Sequence, residues 1–141
     1  MPLINGLGGA FVFSDKPVEL AAWYAEHFGF EFEGSAEFGA FYQTFWSCDP
    51  DNPEHKLDTS FSIIKAKSST SRPVPVEEPE SMYGDQPYMM NLRTDDLDAL
   101  VAHLESKGVD ILKREDEEYG RFACVRDPEG SRVELYEPAA K

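Results

Sequence analysis

The sequence predicts an α+β fold built from two βαβββ modules, each with a mixed sheet, and three observations predict it. Two segments with helical spacing each follow an apolar, strand-like run. Each helical segment stops at a glycine, Gly29 or Gly108. Each half carries an Asp-Pro turn, Asp49-Pro50 or Asp127-Pro128, just before its last strand. Identity between the halves is low, so the repeat rests on element order and punctuation.

The first module spans residues 5–66. Leu7 to Phe13 is apolar and reads as a strand. Asp15 and Pro17 open a helix, since a proline at the first helical position gives up a backbone donor that would be orphaned anyway. Leu20, Trp23, Tyr24, His27 and Phe28 form one helical stripe that ends at Gly29. Phe30 to Glu33 alternates and predicts a short strand, and Phe38 to Cys48 is an aromatic-rich one. Asp49 to Pro53 is turn-rich, and Leu57 to Ala66 closes the module as a strand. A connecting loop, 67–86, is rich in Ser, Pro and Glu and reads as a flexible linker, a lid over a pocket or a dimer arm, with an ordered loop of some lid character the favoured expectation.

The second module spans 87–138. Tyr88 to Thr94 predicts a strand, and Asp96 caps a helix with the stripe Leu97, Leu100, Val101 and Leu104. Lys107-Gly108 ends it, Val109 to Leu112 is a short strand, Gly120 to Arg126 another, and Arg132 to Tyr136 the last. Asp127-Pro128-Glu129-Gly130 has the residues that a type I turn prefers.

The chain is 141 residues long, 41% hydrophobic, with a formal net charge of −14. That balance excludes nucleic acid as a partner, because phosphate binding needs clustered Lys and Arg. No apolar run reaches the ~20 residues of a membrane span, and no basic-then-apolar leader opens the chain, so the expectation is no membrane partner and a cytoplasmic setting. Cys48 and Cys124 fit neither a zinc pattern nor a disulfide framework and read as two half-buried strand thiols. Gly6-Leu7-Gly8-Gly9 lacks the helix start that a phosphate loop requires.

Asp127-Pro128-Glu129-Gly130-Ser131-Arg132-Val133-Glu134-Leu135-Tyr136-Glu137-Pro138 resembles the terminal motif of the vicinal oxygen chelate superfamily, which includes glyoxalase I, bleomycin-resistance proteins and extradiol dioxygenases. The helix 21–30, the helix from Asp96 and the run Tyr119-Gly120-Arg121-Phe122 look like those of bacterial glyoxalase-like members. The resemblance covers nearly the whole chain. It implies the glyoxalase/bleomycin-resistance/dioxygenase fold, with paired modules forming a cupped sheet around a small molecule, and a homodimer.

The resemblance also implies four metal-ligand positions, one on the first and last strand of each module, filled by His, Glu or Gln. Gly8 or Gly9 stands at the first, a residue near Ser62 at the second, Met89 at the third and Glu134 at the fourth. One carboxylate does not make the three or so protein ligands of a catalytic metal site. The expectation is therefore a degenerate cup with no metal and no cofactor. His27 and His103 fall in the helices, and His55 in a turn-rich segment.

Strand alternation puts Met89, Asn91 and Arg93 on the cup face, with Met90 and Leu92 behind. Arg132, Glu134 and Tyr136 share the cup face, so Arg93 near Glu134 makes either a buried ion pair or a ligand contact. Tyr42 and Trp46 are further candidates for ligand binding, against a plain core stripe, and Arg121 either reaches an anion or is a surface strand residue. Two function classes remain. One is a small-molecule binder, like the bleomycin-resistance branch that lacks the metal and binds cationic drugs. The other is a glyoxalase-type lyase or isomerase, or a dioxygenase-related enzyme, using Glu134 as base or sole retained ligand.

Overall fold

A computed structural model describes residues 3–68, 86 and 88–140. Nearly all of the connecting loop proposed at 67–86 lies outside the described residues. The chain divides into two compact units, Met1–Thr70 and Ser71–Lys141.

In the first unit the order is β1 (Gly9–Ser14), α1 (Pro17–Phe28), β2 (Glu33–Ser35), β3 (Ala40–Asp49) and β4 (Asn52–Lys65). The sheet runs β1-β4-β3-β2, with β1 parallel to β4 and the other pairs antiparallel. Pro17 starts the helix, but Lys16 rather than Asp15 is its N-cap, with no side-chain cap bond. The Ser14 hydroxyl instead accepts the Lys16 N–H at 2.9 Å. Gly29 ends α1 in the left-handed region, its N–H donating to the Ala25 carbonyl. Leu20, Ala21, Tyr24 and His27 are buried, and the Tyr24 ring meets Phe61 of β4 at 5.3 Å.

The short strand expected at Phe30 to Glu33 lies later, at Glu33–Ser35. Phe30 and Phe32 stack on each other at 5.2 Å and both reach Phe61, so their alternation is that of a core cluster rather than a ladder. Gly34 sets the real pairing: at φ 93°, with an added Cβ 2.2 Å from the Ala40 carbonyl oxygen, only glycine fits. The β3–β4 turn is also tighter than expected. Asp49 pairs with Asn52, and the Asp49 carboxylate accepts the Asp51 N–H at 2.9 Å. His55 therefore sits in a strand, 3.7 Å from Asp49, and not in a turn.

The second unit repeats the pattern with β5 (Met90–Arg93), α2 (Leu97–Ser106), β6 (Lys113–Glu117), β7 (Gly120–Arg126) and β8 (Arg132–Pro138), in sheet order β5-β8-β7-β6. Again the first and last strands pair in parallel. The Asp96 carboxylate caps α2 by accepting the Ala99 N–H at 3.0 Å, and Glu137 of β8 accepts the Leu97 N–H at 2.8 Å. Leu97, Val101 and Leu104 bury the helix stripe, with Val125, Val133 and Leu135 also in the core. The strand expected at Val109 to Leu112 is found at Lys113–Glu117, a fully charged segment. The 127–130 turn is closed by the Asp127 carboxylate, which accepts the N–H groups of Glu129 and Ser131.

Candidate functional site

Each sheet has one face covered by its helix and one free of it. In the first unit the β1–β4–β3 register puts Phe11, Phe13, Tyr42, Thr44, Trp46, Ser60 and Ser62 on the face opposite Phe61 and Ile63. Tyr42 and Trp46 thus occupy the face expected for them. Phe11 is 64% and Trp46 67% exposed, and Thr44 and Ser60 share a hydroxyl hydrogen bond at 3.1 Å. This is an apolar, aromatic surface with a small polar centre.

In the second unit the helix-free face is built in rows across the strands. Asn91, Glu134, Cys124 and Lys113 form one row, and Arg93, Tyr136, Phe122 and Glu115 the next. Arg132 pairs with Arg126 on the far side. Glu134 is 7% exposed. Its carboxylate accepts the Asn91 side-chain amide at 2.8 Å. Arg132 donates to the Cys124 sulfur at 3.5 Å. Burial pushes the Cys124 thiol up, against the opposing pull of the Arg132 hydrogen bond. Tyr136 stacks on Phe122 at 5.1 Å and 16°. Bare Gly120 makes room for that stack, since a Cβ there would come within 2.6 Å of the Tyr136 ring.

Three expectations need correction. Among the described residues Arg93 makes no ion pair, and the partner of Glu134 is Asn91, its register neighbour, because Arg93 lies two residues on, opposite Tyr136. Arg121 belongs to the helix-covered face. It pairs with Asp98 of α2 at 2.8 Å, with Asp116 and with Glu137, while Arg114 takes the same Asp98 at 2.6 Å. The odd parity of Arg121 relative to Phe122 puts it there. The two thiols are not alike: Cys48 is exposed and Cys124 is buried. Met89 stands one residue before β5 begins.

Lys113 and Arg126 were not singled out by sequence, and Phe122 and Cys124 were not read as part of the site. The β7–β8 register follows from the connection: five residues, 127–131, with Asp127 bonded to Ser131, put Arg126 opposite Arg132, hence Cys124 opposite Glu134 and Phe122 opposite Tyr136. His27 is buried in α1, its Nδ1–H donating to the Trp23 carbonyl at 2.8 Å, and His103 is in α2. Among the described residues no group of three or more His, Cys, Asp or Glu side chains gathers closely enough to hold a metal ion. No described helix is long and apolar enough to cross a membrane.

Paired βαβββ units with parallel closing strands define a glyoxalase-type scaffold. A model of the Glyoxalase/Bleomycin resistance protein/Dioxygenase superfamily matches residues 6–135, and the chain belongs to that superfamily. Solved structures share the fold. TnmS3, an antibiotic binding protein from Streptomyces sp. CB03234, is 21% identical with a TM-score of 0.62, over 99% of this chain and 100% of that one. Lactoylglutathione lyase from Agrobacterium tumefaciens is 14% identical with a TM-score of 0.63, over 96% of each chain. TioX from Micromonospora sp. ML1 is 14% identical with a TM-score of 0.60, over 95% and 99%. No curated protein matches the chain by sequence.

Proposed function

We propose that this protein binds a small molecule on the helix-free sheet surface around Glu134 and does so without a metal. The observation that carries the reading is the state of Glu134 itself. The carboxylate at the superfamily's terminal ligand position is buried and held by the Asn91 amide, with a thiol, not an imidazole or second carboxylate, opposite it in register. On the first unit's equivalent face, Gly9, Phe11, Ser60 and Ser62 supply no His or carboxylate, and the nearest acid on β4, Asp58, lies opposite Trp46 and is exposed. This donor set does not fit a divalent transition metal, which needs about three such ligands.

Aromatic lining around a few fixed polar groups is the usual chemistry of a small-molecule site. The antibiotic binding protein among the similar folds supports the same reading. The competing reading has Glu134 as a general base in a lyase or isomerase. A base must reach the proton it removes, and a carboxylate 7% exposed and bonded to a neighbouring amide is poorly presented for that. A homodimer, implied by the resemblance, and a cytoplasmic setting, which suits the free exposed Cys48 thiol, belong to the same proposal.

The test joins elemental analysis of the purified protein to a thermal-shift screen of small aromatic compounds, with and without chelator. Stabilisation that survives chelation, without turnover of the compound, is the expected result. One equivalent of tightly held transition metal, or binding abolished by chelator, sinks the proposal.

A further inference from the structure

Resting on that reading, we propose that the second unit's helix-free face selects a singly charged anion carried on a flat aromatic ring, with Arg93 as the anion anchor. Three observations converge on this.

The first is a platform. Tyr136 and Phe122 stack side by side across β8 and β7, and Tyr119 adds a third ring 5.7 Å from Phe122. Gly120 lets the Tyr136 ring lie on bare backbone. The rings of such a stack keep their edges and outer faces for another ring in edge or offset contact.

The second is position. Arg93 lies in register with Tyr136, which lies in register with Phe122. Arg93 therefore stands at the end of the aromatic row, on the strand beside Tyr136. A ring on the platform brings a substituent on its edge within reach of Arg93. Guanidinium pairs a carboxylate or sulfonate through two parallel hydrogen bonds, a geometry an ammonium cannot match.

The third is charge distribution. The chain holds 13 Lys and Arg against 27 Asp and Glu. On the helix-covered face, Arg114 and Arg121 are neutralised by Asp98 and Asp116. The helix-free face carries Arg93, Lys113, Arg126 and Arg132, set by the same register, with Arg132 buried against the Cys124 sulfur. Against these four cations stand three carboxylates: Glu134, one row from Arg93 and held by the neutral Asn91 amide, and Glu115 and Glu117 on edge strand β6, a balance far less acidic than that of the whole chain. Glu115 is at the opposite end of Arg93's own row, three strand spacings or about 14 Å away. Among the described residues, then, Arg93 is exposed and has no ion-pair partner, next to an aromatic surface. The bulk acidity of the protein points to a cationic ligand; this face points the other way.

Calorimetric titration of the full chain with three probes sharing one ring system tests the inference: 2-naphthoate (anionic), 2-naphthalenemethanol (neutral) and 2-naphthylmethylammonium (cationic). The expected result is naphthoate bound about tenfold or more tightly than the alcohol, a difference weakened by salt. Arg93→Gln should bring naphthoate down to the affinity of the alcohol while leaving the alcohol unchanged. Circular dichroism checks that the variant is folded, as an exposed strand-end substitution should be, and amide shift mapping places the probe on β5, β7 and β8. Equal affinity for alcohol and naphthoate, preference for the ammonium probe, or an unchanged naphthoate affinity in Arg93→Gln overturns the anion inference and leaves the binder reading standing. Failure of all three probes to bind overturns both.

Discussion

Truncating Asn91 to alanine isolates the interaction that defines the Glu134 site. The substitution deletes the amide that donates to Glu134 at 2.8 Å and leaves the carboxylate, 7% exposed, with its solvation to find elsewhere. A hydrogen bond to a charged group contributes roughly 1.5–3 kcal/mol, and Asn91 lies at an exposed position where water can replace part of it, so the expected loss is about 1.5 kcal/mol. Glu134→Gln keeps an acceptor for the same amide and should cost less. A cycle of Asn91→Ala, Glu134→Ala and the double variant should give a coupling of about 1 kcal/mol. The choice of probe matters. The chain's two tryptophans, Trp23 and Trp46, both lie in the first unit, so their fluorescence does not report the second unit directly. Urea unfolding should be followed by far-ultraviolet circular dichroism together with amide exchange in β5 and β8. A loss below about 0.5 kcal/mol with no coupling would mean that the carboxylate is solvated rather than held by Asn91.

The thiols and the Asp98 cluster give two further expectations. One thiol, Cys48, should react promptly with a disulfide reagent in the native protein, and Cys124 only on unfolding. Because burial raises the Cys124 thiol in the folded state, the unfolded chain loses its proton first as pH climbs past the ordinary thiol range of about 8.5. Stability should therefore fall above that pH, and Cys124→Ala should flatten the slope in urea midpoints measured from neutral to alkaline pH. The hydrogen bonds from Arg121, then Arg114, hold the Asp98 carboxyl below the usual carboxylate range. That stabilisation is complete above the unfolded carboxylate pKa and is lost as pH falls through the lower folded value. Asp98→Asn should lower the midpoint slightly near neutral pH, with a deficit that shrinks in high salt and vanishes in acid, since the pairs are exposed.

Helices were legible because their signals are local. Pro17, Gly29, Asp96 and the Leu97–Val101–Leu104 stripe each act within a turn or two of their own position. The long strands were legible from apolar runs. The two short strands, β2 and β6, were misplaced for opposite reasons. Phe30 and Phe32 alternate like a strand yet spend that alternation on a ring cluster around Phe61. Lys113 to Glu117 has no apolar pattern at all, and its strand state comes from pairing with β7 and from Arg114 and Asp116 reaching the Asp98 network. The site divides in the same way. Parity within a strand put Asn91, Arg93, Glu134 and Tyr136 on one face correctly, whereas the Glu134 partner depended on the register between β5 and β8, which one strand alone does not contain.

Both units close by pairing their first strand with their last. Gly9 meets Ser60, and Met90 meets Val133, with the helix and the antiparallel hairpin in between. Bringing ends about 50 residues apart together has a length-dependent entropic cost of about 3.5 kcal/mol before any of that contact is gained. The parallel seam is thus the slowest contact to nucleate, and hairpin and helix should condense first. Asn91 and Glu134 straddle that seam in the second unit. The residue pair at the centre of the proposed binding surface is also among the last to meet on the folding path, so that surface should exist only once its unit is complete.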